Sequence, residues 1–177
     1  MTRFFYRLSG AALCVAVMVC FFPTGSRASA MEDRKWPEGR KQEEAPWIKD
    51  LLPPGGLDRD SLNYLNDHLV LNDHYYFADE NILGLGQDTP SVLATYRRPA
   101  GEALLLMVSY PMASVAEHAL ESLMNHYLPE TSPGVPMRLD DRTWAGALVN
   151  ENILSLILKA DSENLARELL DETAGFR

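Results

Sequence analysis

Two copies of one tripeptide, Asn66-Asp67-His68 and Asn72-Asp73-His74, offer the side chains best suited to a reaction or a metal. Imidazole beside carboxylate is the pairing used for metal ligation and for general acid–base work. With Tyr76, Asp79 and Glu80 close behind, the candidate site region comprises Asn66, His68, Asp73, His74, Tyr76, Asp79 and Glu80. Spacing argues against one shared ion. In a single strand the two imidazoles would stand about 20 Å apart. In a single helix they would be about 9 Å apart along the axis and on different sides, whereas zinc ligands must converge to about 2.1 Å from the ion. Capping and turn roles are therefore expected for the Asn and Asp residues. His118 and His126, eight residues apart on an expected helix, are about 12 Å apart along its axis and are likewise excluded from one ion. No metal site and no cofactor are expected.

Other signatures are missing. Gly84-Leu85-Gly86 is followed by Thr89 where a dinucleotide fingerprint needs a third small residue, and it reads as a loop turn. There is no Gly-x-Ser-x-Gly elbow, Ser-x-x-Lys, His-Glu-x-x-His or phosphate-binding Gly-Lys-Ser/Thr. Asp79-Glu80 and Asp140-Asp141 lack the calcium-loop spacing and read as solvated loop carboxylates.

The amino terminus reads as an export signal. Arg3 and Arg7 precede an apolar run, Ala11 to Phe22, and Ala28-Ser29-Ala30 supplies the small residues that a signal peptidase reads. Twelve apolar residues are too few for a bilayer core that needs about 20. No Arg-Arg pair marks the twin-arginine route, and Val19 stands where lipidation of Cys20 would need a small residue. Residues 1–30 are thus expected to be a cleaved Sec signal peptide, leaving no membrane span and a periplasmic or secreted product. Both cysteines, Cys14 and Cys20, leave with it, so the mature chain has no thiol for catalysis, disulfides or metal binding.

The whole chain of 177 residues carries 16 Lys and Arg against 25 Asp and Glu, a net charge of −9. A leader holding Arg3, Arg7 and Arg27 but no acid takes the remainder to −12. Such a surface repels nucleic acid, whose binding depends on cationic side chains displacing counterions. A basic partner is the better electrostatic match.

Residues 31–56 carry eleven charges and four prolines without apolar periodicity, the composition of a flexible tether whose removal should leave a folded domain. Two uses are open for its tryptophans: Trp47-Ile48 and Leu51-Leu52 tack the tail to the domain while Trp36 stays loose, or the aromatic residues dock in a partner's groove. Residues 57–177 form one domain.

Within it, Asp58 is placed to cap a short helix toward Asn66, and Leu69-Val70-Leu71 and Tyr75-Tyr76-Phe77 read as strands. Residues 78–90 read as loop, with a short turn at Asn81 to Leu83. Ser91 to Tyr96 and Ala103 to Tyr110 read as a hairpin about Arg97 to Glu102. Ser114 and Glu117 form a capping box ahead of a helix over Ser114 to Leu128, with a stripe of Ala116, Ala119, Leu120, Leu123, Met124 and Tyr127. Thr143 to Val149 and Ile153 to Lys159 read as a second hairpin, and Asp161 or Ser162 caps a last helix that buries Leu165, Ala166, Leu169 and Leu170. The order predicts an α+β domain. Its antiparallel sheet is built from hairpins with helices packed on one face, and Ala103 to Ala174 makes a split ferredoxin-like β-α-β-β-α segment.

Leu62-Asn63-Tyr64-Leu65-Asn66, Tyr75-Tyr76 and the strand and helix pattern through Thr173 resemble a family of exported bacterial proteins catalogued as a domain of unknown function. Its members carry a Tyr-Ile-Asn-Gly-type motif ahead of a tyrosine-containing segment; here Asp67 stands at the glycine position. The resemblance implies an exported α+β domain and transfers no catalytic residue. With no catalytic signature, the reading is a non-enzymatic module of the cell envelope that binds an envelope protein or small ligand. The competing reading is a hydrolase or metal-dependent enzyme using His68 or His74 with Asp67, Asp73 or Asp79. Gathering of His74, Asp79 and another acid in one pocket would favour the enzyme, and dispersal would favour binding.

Overall fold

A computed structural model describes residues 47–175; the expected signal peptide, Trp36 and most of the expected tether lie outside them. Six strands form one sheet in the order β1-β2-β3-β6-β5-β4, every neighbouring pair antiparallel. The strands are β1 Leu57–Leu65, β2 Ser91–Arg98, β3 Gly101–Ser109, β4 Met137–Arg138, β5 Trp144–Asn150 and β6 Ile153–Ala160. The helices are α1 His68–His74, α2 Ala113–His126 and α3 Glu163–Ala174, and a 3₁₀ helix, Trp47–Leu51, precedes β1. The α+β class is thus as the sequence predicts.

Both hairpins form where turn chemistry places them, and both are tighter than expected. β2 and β3 pair up to Arg98 and Gly101, leaving Pro99-Ala100 as the turn. β5 and β6 pair up to Asn150 and Ile153 around Glu151-Asn152. Gly101 is required by its backbone: φ is +122°, and a Cβ there would come within 2.6 Å of the Asp161 Cβ. Asp161 itself accepts a hydrogen bond from the Glu102 amide at 2.8 Å, tying the start of α3 to the hairpin. Ser162, one residue on, is the N-cap of α3 and accepts from the Leu165 amide.

Helices cover both faces of the sheet, which corrects the expectation of one face. One buried cluster joins Leu71, Leu106, Val108, Ala116, Leu123, Leu154 and Leu156, from α1, α2 and one side of the sheet. The other joins Ile48, Leu52, Leu105, Met107, Ile157, Leu165, Leu169 and Leu170, from the 3₁₀ helix, α3 and the opposite side. The alternation of Leu105 and Met107 with Leu106 and Val108 shows the physical basis, because a strand presents successive side chains to opposite faces. A β3 run apolar at every position therefore needs cover on both sides. The split β-α-β unit is present, since β3 and β5 lie on either side of β6, which runs antiparallel to both, and α2 connects them. The helix after β6 packs on the other face.

Three local expectations are corrected. The stretch from Asp58 to Leu65, expected to be a helix running toward Asn66, lies in strand β1. It is an edge strand whose pairing with β2 is interrupted between Asp58 and Asn63, and the Ser61 hydroxyl fills the gap by accepting from the Thr95 amide and donating to the Asp58 carbonyl. Leu69-Val70-Leu71 lies in helix α1 because Asp67 caps it, accepting from the Leu69 amide at 2.9 Å, and Leu71 then seats in the core. Tyr75-Tyr76-Phe77 comes next as irregular chain. The Ser114/Glu117 capping box is not used: α2 starts after Met112, with no side-chain cap, and Ser114 falls inside the first turn.

The described part of the expected tether is packed. Ile48 is fully buried and Leu52 nearly so, and the Tyr96 hydroxyl donates to the Pro53 carbonyl at 3.0 Å. Trp47 remains half exposed, so the anchoring falls to Ile48 and Leu52.

Candidate functional site

The doubled Asn-Asp-His turns out to be architecture. Asp67 is the cap of α1, and its Oδ1 also lies 3.2 Å from Nδ1 of His68. Asn72 holds the exit of the same helix, accepting from the Phe77 amide at 2.9 Å and donating to the Ala78 carbonyl at 2.7 Å. His68 and His74 are the two end residues of α1, about 9 Å apart along its axis and on different sides. Asn66, Asp73, His74, Asp79 and Glu80 are exposed, and Tyr76, also exposed, donates to Asp79 at 2.9 Å, a bond that pushes its hydroxyl pKa up. Among the described residues, no three His, Cys, Asp or Glu side chains are grouped to hold a metal ion.

Of the seven candidate residues, Glu80 lines the groove between the loop after α1 and helix α2. Its volume is about 450 Å³, within the range of ligand sites. The loop side is Glu80 to Gly84; the helix side is Val115, His118, Ala119, Ser122 and His126, with Tyr110 between. His118, Ser122 and His126 stand at i, i+4 and i+8, a spacing that keeps them along one side of α2.

The loop is held firmly. Asn81 caps its own turn, accepting from the Leu85 amide and donating to the Leu85 carbonyl, both at 2.8 Å. Leu83 and Leu85 are buried, and the Tyr110 hydroxyl donates to the Leu83 carbonyl at 2.7 Å. Burial drives the Tyr110 pKa well above its usual value, so that hydroxyl stays protonated as a donor. Thr89 Oγ1 accepts from the Gly86 amide at 2.6 Å and closes the far side of the loop. One groove wall is therefore preformed by hydrogen bonds within the chain.

On the other wall, His126 Nδ1 lies 2.7 Å from the Ser122 carbonyl oxygen. A carbonyl only accepts, so Nδ1 is the donor in this contact, and in the neutral ring Nε2 is left as an acceptor. His118 Nδ1 lies 3.8 Å from Glu121 Oε2, at the limit of an ion pair, on a largely exposed ring. The chain matches no protein-family model, no curated protein and no solved structure.

A second polar cluster carries no signal in the sequence. β6 has an extra residue relative to β3, because Leu104 pairs with Lys159 and Leu105 with Ile157, leaving Leu158 over. The Leu158 carbonyl accepts from the hydroxyls of Tyr75 and Tyr127, each at 3.2 Å, and the two hydroxyls lie 3.0 Å apart. Phe77 packs on the Tyr127 ring with centroids 4.7 Å apart. This cluster anchors the chain leaving α1 and the end of α2 on the sheet. Asp141 makes a comparable turn elsewhere, accepting from the amide and hydroxyl of Thr143, which lowers its pKa.

Proposed function

We propose that this protein is an exported, non-enzymatic binding module of the cell envelope, and that the groove between the Glu80 to Gly84 loop and α2 receives its partner or ligand. The observation that carries this reading is the contrast between dispersed and gathered groups. Asp67 and His68 lie 3.2 Å apart, but Asp67 is engaged as the cap of α1. His74, Asp73 and Asp79 are exposed, and among the described residues no three of these side chains are grouped to hold a metal ion, an arrangement that suits a binding surface better than an acid–base pocket. The groove, by contrast, joins an apolar floor to a few polar groups on fixed walls. Export rests on the signal-peptide pattern of residues 1–30 and agrees with the family resemblance of the Tyr64-Leu65-Asn66 segment.

Affinity capture from envelope extract tests the site. Ser122→Trp places an indole in the groove, and Asn125→Trp places one on an exposed position of the same helix. Proteins retained by the native chain and by the Asn125 variant should be lost from the Ser122 variant. Equal retention by all three would remove the groove from function. N-terminal sequencing of the native product should begin at Met31; an intact Met1 or a lipid on Cys20 would overturn export by this route.

A further inference from the structure

We infer that the groove takes an extended, basic and apolar peptide segment of a partner protein, seating an apolar side chain on the groove floor and a Lys or Arg side chain against Glu80. This deepens the binding reading above and rests on it.

The lining chemistry selects the ligand's sign. Among the described residues, Glu80 is the one that lines the groove with a permanent charge, and no described Lys or Arg lines it. Its other polar groups lean toward acceptance or are already engaged. His126 offers Nε2 as an acceptor, the Asn81 amide is bonded to Leu85, and the Tyr110 hydroxyl is bonded to Leu83. A ligand rich in donors and positive charge satisfies these groups; a carboxylate or phosphate meets one anion and no cation. The net charge of −9 over the whole chain acts in the same direction at longer range.

The shape selects a peptide. The groove is open and runs along α2 past both His118 and His126, which are about 12 Å apart along the axis. At about 3.3 Å per residue, that length matches three to four residues of extended chain whose ends pass out into solvent. Peptide amides supply donors for His126 Nε2 and for the Ser122 hydroxyl. The floor of Ile82, Leu83, Val115 and Ala119 supplies contact for one apolar side chain.

Titration of the isotope-labelled full chain, followed by amide NMR shifts, tests this with four probes: acetyl-Leu-Arg-Leu-amide, the same peptide with Gln or Glu at the centre, and butylguanidinium. The Arg peptide should shift the amides of residues 80–84 and 115–126 and bind most tightly, and Glu80→Gln should weaken it by about three- to fivefold, the effect of an exposed ion pair. Equal binding of the Gln peptide would overturn the cationic requirement while leaving the groove as a binding site. Binding of butylguanidinium as tight as that of the Arg peptide would overturn the peptide assignment in favour of a small cation. Shifts confined to residues outside the groove, or none with any probe, would overturn the inference, whereas the capture experiment alone decides the groove reading.

Discussion

Single residues carry more of this structure by hydrogen bonding than their types advertise. The Tyr75 and Tyr127 hydroxyls meet at the displaced Leu158 carbonyl, Tyr110 holds the groove loop, and Tyr96 holds the entering chain at Pro53. Burial is the main cause that raises the pKa of Tyr96, Tyr110 and Tyr127 above the usual 10.0. In each case the neutral hydroxyl is the form that the fold accommodates. The contribution to stability is therefore fully present below pH 10, the unfolded value, and is lost as pH rises from there through the folded values. Denaturant midpoints should hold to about pH 9.5 and then fall steeply, and absorbance at 295 nm should show Tyr96, Tyr110 and Tyr127 titrating only as the chain unfolds. Tyrosines that all titrated freely near pH 10 in the folded protein would contradict this burial. Replacing Tyr96 with Phe removes one hydroxyl bond and should cost about 1 kcal/mol.

Among the elements, the β2–β3 turn shows how one connection constrains a helix far along the chain. Pro99 suits the first turn position, Gly101 takes the positive φ, and Asp161 packs where a Cβ would sit. Gly101→Ala should cost about 1–3 kcal/mol by backbone strain alone, with the contact to Asp161 adding to it. Urea melts measure this directly, and an alanine variant as stable as the native protein would show that the turn relaxes. Arg98 works beside it: the side chain, 12% exposed, makes two 2.8 Å bonds to Glu172 near the end of α3 and donates to the Gly55 carbonyl at 2.9 Å. This bidentate geometry with a backbone acceptor suits Arg and not Lys, so Arg98→Lys should loosen both α3 and the chain entering β1. Faster amide exchange at residues 53–57 and 172–175 would report it.

For the molecule as a whole, the packed unit extends back to Trp47 among the described residues. Removing residues 31–56 takes away Ile48 and Leu52 and uncovers part of the α3 face of the sheet. A chain beginning at Leu57 should therefore lose more than about 2 kcal/mol, against the expectation from composition, and Ile48→Ala alone should cost about 2–5 kcal/mol. A truncated chain that melts with the intact one would show that this face tolerates exposure. Charge is the other property of the whole. Binding of a basic partner should weaken as salt rises, since screening acts over about 8 Å at physiological ionic strength. An affinity unchanged between low and high salt would assign recognition to the apolar floor.

Elements whose signal is local and strong are legible in the amino-acid order alone. The hairpin strands carry continuous apolar runs closed by turn residues, and α2 and α3 carry stripes at helical spacing, so neither needs its neighbours to be recognised. Asp67 and Asn72 are legible as capping and turn residues because short polar side chains bond their own backbone. The remainder depends on packing between distant segments. A seven-residue helix is marginal alone, and α1 persists through its Asp67 cap and the burial of Leu71. β1 has no apolar alternation strong enough to announce a strand and is held by the ladder of β2. His118 and His126 read as isolated helix positions until the Glu80 to Gly84 loop, pinned by Asn81 and Tyr110, closes a groove against them. A groove is a relation between two surfaces, and periodicity within one segment carries no information about which loop will pack beside it.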